Sequence, residues 1–355
     1  MEALFSVLLF AFEVPTGVVA DRFGRKISLF LGTVVFGLCF LAYAFTRSYP
    51  VLVAIQFPCA AAFSLISGAD HALMYETARA ADTDPVTVTA KMARYNAFGS
   101  AGMFAAFPLG SLFAASGLVP YISALGVTFA ASGTALILAG FIVLRVHEAG
   151  RPELKEHPLK TGVRGFTTLF KTAALARLSV NTALVAGITF MMFWLYQAIL
   201  IGTRFPAGAV GFISAAFNGL GALVLFRMDA IRKRVPAGAL LAITSAITGV
   251  LYFAAGLFPV LPLALAAIFG ITLMRFMREP VTTTLINDAI DSDIRATVLS
   301  GLSMLERIVI TTLYFAVGFL CDRSVPQAFI VLGLLCLGVT LLAPVRKTPA
   351  RSVTY

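Results

Sequence analysis

The sequence predicts an all-α polytopic membrane protein, and three observations lead to that prediction. Of the 355 residues, 59% are hydrophobic and 12% are charged, whereas a soluble domain carries about 25% charged residues. The mean hydropathy of +0.92 is above that of water-soluble domains. Acidic and basic residues are absent from long stretches such as 27–46, 48–69 and 308–321. A run of 18 or more apolar residues is long enough to cross the hydrocarbon core as a helix.

Polar residues, prolines and glycines divide the chain into eleven predicted spans. Their approximate ranges are 3–20, 27–46, 51–78, 92–115, 120–144, 178–202, 207–226, 237–256, 259–286, 296–321 and 326–345. The one long polar interval separates five spans from six. We therefore predict an amino-terminal bundle over 1–145, a central loop over 146–177, and a carboxyl-terminal bundle with a short tail over 178–355. The end of the loop, Val163 to Arg177, is predicted to be a helix on the membrane surface.

The distribution of basic residues predicts the orientation of the spans. When the loop at 21–26 is placed in the cytoplasm, 23 of the 27 Lys and Arg residues fall in cytoplasmic segments or the inner halves of the adjoining spans, and three fall in loops on the opposite side. This asymmetry follows the positive-inside rule and predicts a multi-pass protein of the bacterial inner membrane with a cytoplasmic central loop and carboxyl terminus. Because the basic residues are spread over short separate loops, they face anionic lipid, and nucleic acid is not an expected partner.

The sequence contains no pattern that predicts a cofactor or a metal. The four cysteines, Cys39, Cys59, Cys321 and Cys336, are isolated in or near apolar segments and lack metal-binding or redox spacing. The sequence has no GxxxxGK[ST] signature, which argues against ATP-driven transport. It also lacks the GxSG and HExxH signatures of intramembrane and zinc proteases, so we do not expect an enzyme.

The segment GVVADRFGRK, residues 17–26, joins the first two predicted spans on the cytoplasmic side. It fits the pattern G-x-x-x-D-[RK]-x-G-[RK]-[RK] at every specified position. This segment resembles the signature that connects the second and third transmembrane helices in the major facilitator superfamily. The resemblance implies a two-bundle fold of twelve helices, of which eleven are visible here as five plus six. It therefore implies that the first visible span is the family's second helix and that the first helix is missing from this chain.

The resemblance also assigns a gating role to the motif. Gly17 lets a neighbouring helix approach closely, and Asp21 can accept hydrogen bonds from the amino-terminal end of a helix that starts at about 293–301. The basic residues can pair with acids at the ends of nearby helices, and Glu76 is the first choice of partner. The predicted gate consists of Gly17, Asp21, Arg22, Gly24, Arg25, Lys26 and Glu76. The alternative is that the basic residues only determine topology.

Charged residues inside the predicted spans are the candidates for coupling and substrate binding, because a charge in hydrocarbon costs about 2.5–3.5 kcal/mol. Glu13 lies near the middle of its span and can carry a coupling proton or act as a structural acid. Asp70 and His71 can relay protons or form an interhelical bond. Gln197 is a candidate cavity residue.

The second half of the sequence carries further charged candidates. Arg275 and Glu279 are spaced i,i+4 and can neutralise each other, which leaves Arg278 for an anionic group or a gate. Glu306 and the adjacent Arg307 differ by about 100° around their helix, so at least one of them faces the protein interior. We predict that both belong to an ion-pair network, with substrate contact as the alternative.

These features together predict a secondary active transporter that moves a small solute by alternating access, coupled to protons. Efflux of a drug-like compound or metabolite is slightly favoured, although FPLGSL at 107–112 departs from the GPxxGG signature of drug–proton antiporters in the family. The alternative is a transport-incompetent relative or a truncated fragment with a sensor or assembly role. A monomer is expected, with the solute, protons and the lipid bilayer as its partners.

Overall fold

The computed structural model of the protein describes residues 1–67, 69–81, 85–146, 166–290 and 295–343. Within these ranges every regular element is a helix. This confirms the all-α fold class that the apolar spans predict, since a helix satisfies all of its backbone hydrogen bonds within one segment and can therefore cross lipid.

The chain divides into two compact units, Met1–Glu156 and His157–Tyr355. The first unit contains the helices α1 Glu2–Phe23, α2 Arg25–Phe45, α3 Tyr49–Ser67, α4 Asp70–Ala81, α5 Pro85–Ala115 and α6 Tyr121–Val143. In this unit α2 packs against α6 and α3, and α1 packs against α3. A Cβ atom added at Gly37 would come within 2.6 Å of the Gly133 carbonyl oxygen, so the two glycines allow a close approach of α2 and α6.

Within its described residues the second unit contains a short helical stretch at 166–168, seven longer α-helices and one turn of 3₁₀-helix at Ala207–Ala209. The longer α-helices are α7 Ala173–Gly202, α8 Val210–Phe226, α9 Met228–Arg234, α10 Ala237–Leu257, α11 Leu261–Ala289, α12 Arg295–Arg323 and α13 Val325–Leu342. Helix α7 packs against α11, α12 and α13, and α10 packs against α11 and α13. The core of the unit therefore lies around α7, whose buried residues run along most of its length.

Nine helices in the described residues are long and apolar enough to cross a membrane. They correspond to nine of the eleven predicted spans and confirm a polytopic membrane protein. The other two predicted spans, 3–20 and 92–115, coincide with α1 and α5, and α5 contains the shorter apolar helical stretch Ala101–Ala115.

Two sequence-based boundaries differ from the structure. The single span predicted over 51–78 is two helices, because α3 ends at Ser67 and α4 begins at Asp70, an acidic residue that suits the first turn of a helix. The helix predicted over Val163 to Arg177 is interrupted within the described residues, which exclude 163–165, because residues 166–168 and 173–177 are helical and 169–172 are not. There the chain turns before Thr172, whose hydroxyl accepts a hydrogen bond from the Leu175 backbone N–H at 3.2 Å and caps α7.

Candidate functional site

A cavity of about 140 Å³ lies inside the second unit, between α7, α11 and α12. Its polar wall includes Thr182, Arg275, Arg278, Glu279, Thr282 and Glu306. Both arginines lie in the candidate span Leu261–Ile286, and Glu306 lies in the candidate span Gly301–Arg323. Three of the charged residues that the sequence nominates for coupling or binding, Arg275, Arg278 and Glu306, therefore meet at one cavity.

Two backbone features shape this part of the unit. Gly187 on α7 allows α12 to approach, because a Cβ atom at this position would come within 2.8 Å of a methyl carbon of Val309. Pro280 lies inside α11, directly after Glu279, and its ring nitrogen cannot donate an intrahelical hydrogen bond. A membrane helix tolerates such an interruption where neighbouring helices or polar side chains satisfy the freed groups.

The Arg278 side chain is buried, with 3% of its surface exposed, and holds a network of hydrogen bonds. Its Nη1 donates to the Leu241 carbonyl oxygen at 2.8 Å, to the Ser245 hydroxyl at 2.8 Å and to the Thr244 hydroxyl at 3.4 Å. Its Nη2 donates to the side-chain oxygen of Asn181. All four acceptors are uncharged, so the positive charge is solvated by neutral groups rather than neutralised by a carboxylate within this network.

Asn181 extends the network to the end of the last helix. Its side-chain nitrogen donates to the Ala343 carbonyl oxygen at 2.9 Å, directly after α13. The Arg278 network thereby connects α11 with α7, α10 and the carboxyl-terminal end of α13. A buried network of this kind fixes the relative positions of the helices that contribute to it.

Two buried polar atoms on residues of the cavity wall have no hydrogen-bond partner among the described residues. They are Nε of Arg278 and the hydroxyl oxygen of Thr182. An unsatisfied buried polar group costs about 1–3 kcal/mol, and most such groups in folded proteins have a partner. Thr182 and Arg278 therefore each bring an unsatisfied polar atom to the wall of the cavity.

A different pattern of charges surrounds Arg275. Its guanidinium carbon lies 5.1 Å from the centre of the Phe190 ring, within the range of a cation–π interaction. Arg275 also interacts electrostatically with the Glu279 and Glu306 carboxylates. Arg275 thus interacts with Glu279, as its i,i+4 spacing predicts, and also with Glu306 from α12. Of the adjacent residues Glu306 and Arg307, Glu306 is the one that lines the cavity.

The structure places Arg307 and Gln197 away from this cavity wall. Arg307 is half-buried on α12. Gln197 is exposed, and its side-chain nitrogen donates to the Tyr196 hydroxyl at 3.0 Å. The Tyr196 hydroxyl also accepts a hydrogen bond from the Ser214 hydroxyl at 2.7 Å. Gln197 therefore belongs to a polar contact between α7 and α8.

The coupling candidates of the first unit lie on α1 and α4. Glu13 is exposed on α1. One turn further, the hydroxyl oxygens of Thr16 and Ser64 lie 2.7 Å apart and connect α1 with α3. Asp70 accepts a hydrogen bond from the Tyr95 hydroxyl at 3.0 Å, which connects α4 with α5. The interaction of Asp70 is therefore of the interhelical kind that the sequence leaves open.

The motif GVVADRFGRK forms the end of α1, a one-residue turn and the start of α2. The turn is Gly24, which is buried and has φ 98° and ψ 152°. Only glycine adopts this region readily, because a Cβ atom would clash with the backbone. Beside the turn, the Arg22 guanidinium lies 5.7 Å from the centre of the Phe23 ring.

The remaining members of the predicted gate lie outside the described residues. These are the side chains of Asp21 and Glu76, the surroundings of Gly17, and residues 291–294 at the expected partner helix. The His71 side chain is outside them as well. The structure therefore brings Arg22, Gly24, Arg25 and Lys26 to one turn, and the rest of the gate stays a prediction from the sequence.

Comparison with known proteins decides the family. The sequence profile of the Major Facilitator Superfamily matches residues 1–312. The chain belongs to this superfamily. A comparison with curated proteins found no match.

Solved structures of superfamily transporters share the fold. A variant of the nucleoside transporter NupG has a TM-score of 0.77 at 14% identity, covering 97% of this chain and 90% of that one. A bacterial homologue of the human lysosomal transporter Spinster, in an inward-facing and occupied conformation, has a TM-score of 0.73 at 14% identity, covering 96% and 88%. A POT family transporter in complex with 5-aminolevulinic acid has a TM-score of 0.71 at 14% identity, covering 96% and 85%. At these identities the likeness concerns the fold.

This superfamily member is therefore an integral, multi-pass membrane transporter. Sequence reasoning missed the neutral residues of its cavity, above all Thr182. The signal that could have found them is periodicity, since Thr182, Ala186 and Thr189 recur at spacings of four and three and share one face of α7. Periodicity alone does not distinguish a cavity-lining threonine from one that bonds its own helix, as the Thr189 hydroxyl does to the Val185 carbonyl oxygen at 2.9 Å.

Proposed function

We propose that the protein is a secondary active transporter that moves a small solute by alternating access and couples this movement to protons. The observation that carries the proposal is the meeting of Glu306 with Arg275 at the wall of a cavity inside membrane-spanning helices. A charge in this environment costs about 2.5–3.5 kcal/mol, so an ionisable residue inside a membrane span indicates a role in proton transfer or in binding of an ion or solute.

The chemistry of the pair suits coupling. When Glu306 is ionised, it interacts with Arg275 together with Glu279. Glu279 alone matches the charge of Arg275, so ionised Glu306 adds one excess negative charge that attracts a cationic or hydrogen-bond-donating group of the solute. When Glu306 takes up a proton, this excess charge is lost and the solute is released. Proton binding and solute binding then compete at one carboxylate, and this linkage acts in both directions. The binding site opens to one side of the membrane and then to the other, so that each cycle moves solute and proton in opposite directions.

The gate remains part of the proposal. The positive φ of Gly24 supports the assignment, because it shows a backbone reason for glycine in the motif and sets Arg22, Arg25 and Lys26 around one tight turn. Asp21, Glu76 and Gly17 complete the gate as the sequence predicts. Export of the solute, a monomeric state, the bacterial inner membrane and a cytoplasmic carboxyl terminus belong to the same proposal.

The other coupling candidates are ranked by their contacts. The Tyr95 hydrogen bond supports a structural role for Asp70. The contact of Gln197 with Tyr196 supports a packing role for this residue. Glu13 and His71 remain candidates for a second proton site, and Arg307 remains a candidate for the ion-pair network around Glu306.

A transport experiment in proteoliposomes tests the proposal. The purified full-length chain is screened with labelled metabolites and drug-like compounds under an imposed pH gradient. We expect the gradient to drive accumulation of at least one solute by the wild type. Glu306→Gln keeps the size and polarity of the side chain and should abolish this accumulation while downhill movement persists.

The matched control is Asp322→Asn, which neutralises an exposed carboxylate near the end of the same helix. It should accumulate solute like the wild type. Unchanged gradient-driven accumulation by Glu306→Gln would remove this residue from the coupling step. A wild type that moves no solute in the screen would contradict transport and favour a sensor or assembly role.

A further inference from the structure

Two sets of residues on the cavity wall, called its positive side and its negative side, differ in charge. On one side the guanidinium of Arg278 is held by four neutral acceptors. On the other side one guanidinium, that of Arg275, interacts with the two carboxylates of Glu279 and Glu306. With all groups ionised, the first side carries one excess positive charge and the second one excess negative charge.

The unpaired donors lie with the positive side. Nε of Arg278 and the Thr182 hydroxyl are both buried and have no partner among the described residues. Arg278 and Thr182 are 3% and 4% exposed. A buried charge in a protein is ordinarily compensated by a counter-charge. An anionic oxygen bound at this side would supply both the counter-charge for Arg278 and an acceptor for the two donors.

The negative side needs the complementary group. Glu279 and Glu306 together exceed the charge of Arg275, so an ammonium group placed beside them would neutralise the difference. A cavity of about 150 Å³ is known to hold a six-carbon ring, so one of about 140 Å³ fits a solute of roughly six non-hydrogen atoms. A molecule of this size can present a carboxylate and an ammonium group at the two sides of the cavity.

We propose that this cavity binds a small amphoteric solute, with its carboxylate at Arg278 and Thr182 and its ammonium group at Glu279 and Glu306. This substrate class rests on the proposed function only in so far as the bound solute is also the one transported. The binding itself requires no proton gradient and no movement of the protein through its cycle.

Equilibrium binding to the purified full-length chain tests the proposal. Calorimetry is performed with three zwitterions that differ in the separation of their charges, namely glycine, β-alanine and 4-aminobutanoate, and with butanoate and butylammonium, which carry one charge each. We expect at least one zwitterion to bind tenfold or more tightly than both singly charged probes. Equal binding of butanoate, equal binding of butylammonium, or no binding of any zwitterion would overturn the proposal.

Two variants assign the sides of the cavity. Thr182→Val keeps the shape of the side chain and removes a hydrogen bond to a charged group, so zwitterion affinity should fall about tenfold. The control Thr312→Val removes an exposed hydroxyl that bonds its own helix at the Ile308 carbonyl oxygen, and it should bind like the wild type. Glu306→Gln should reduce the preference for the zwitterion over butanoate. Wild-type affinity and preference in both Thr182→Val and Glu306→Gln would place the zwitterion elsewhere.

The outcome separates this inference from the proposed function. Zwitterion binding without transport in proteoliposomes would contradict the transport proposal and leave the binding site in place. Gradient-driven transport of another class of solute by a chain that binds no zwitterion would support transport and overturn the amphoteric site.

Discussion

Replacement of Asn181 by alanine should destabilise the second unit through two lost hydrogen bonds. Asn181 accepts from the Arg278 guanidinium and donates to the Ala343 carbonyl oxygen at 2.9 Å. A hydrogen bond to a charged group contributes about 1.5–3 kcal/mol and a neutral one about 1 kcal/mol. The expected loss of unfolding free energy is therefore about 3 kcal/mol, which for a unit of this size lowers the apparent Tm by about 6–12 °C.

Thermal unfolding of the purified protein in detergent measures this effect, and Asn218→Ala is the matched control. Among the described residues the Asn218 side chain donates within its own helix, to the Ser214 carbonyl oxygen at 2.9 Å, so its replacement should cost less than about 1 kcal/mol. A double-mutant cycle with Arg278→Met isolates the direct contact, because residues that share a bond are not additive. Strict additivity of Asn181→Ala and Arg278→Met, or equal shifts for the two asparagine variants, would refute the network.

Three further predictions concern the first unit. Gly24→Ala should lower the free energy of unfolding by about 1–3 kcal/mol, because φ is 98° at this position and alanine is strained there. The control Gly102→Ala has open space around the added Cβ atom and should leave the apparent Tm unchanged. Equal shifts of Tm in the two variants would contradict backbone strain at residue 24. Gly37→Ala should also lower the free energy of unfolding by about 1–3 kcal/mol, since the new Cβ atom would lie 2.6 Å from the Gly133 carbonyl oxygen. An apparent Tm equal to that of the wild type would show that α2 and α6 can move apart at no cost. Asp21→Asn should abolish flux in proteoliposomes at unchanged membrane abundance, and normal flux would eliminate the gate.

Most helices of this protein can be predicted from the sequence, because an apolar helix must be long enough to cross the hydrocarbon core of the bilayer. The cost of a charge in hydrocarbon likewise marks Arg275, Arg278 and Glu306 as unusual from their position in the sequence alone. The required length of a span and the cost of a charge in hydrocarbon both act on single segments, so their consequences can be predicted without knowledge of tertiary contacts. The break between Ser67 and Asp70 could not be read in this way, because a membrane helix tolerates local interruptions when other segments satisfy its backbone.

The composition of the candidate site depends on contacts between distant segments. The Arg278 guanidinium donates hydrogen bonds to Asn181, which is 97 residues away in the sequence, and to the Leu241 carbonyl oxygen, which is 37 residues away. Neutral polar residues such as Thr182 are common in membrane helices, since a threonine hydroxyl can bond the preceding turn of its own helix. Only the packing of α7 against α11 and α12 distinguishes Thr182, whose hydroxyl has no partner in the described part of the chain.

The most direct test of the coupling mechanism is the movement of protons that accompanies the movement of solute. Proteoliposomes are loaded with a pH-sensitive dye, and a solute that the wild type transports is added on one side. We expect a change of luminal pH with the wild type and with Asp322→Asn, and no change with Glu306→Gln, although Glu306→Gln still exchanges labelled for unlabelled solute. A proton flux per solute in Glu306→Gln equal to that of the wild type would contradict the role of the Glu306–Arg275 pair.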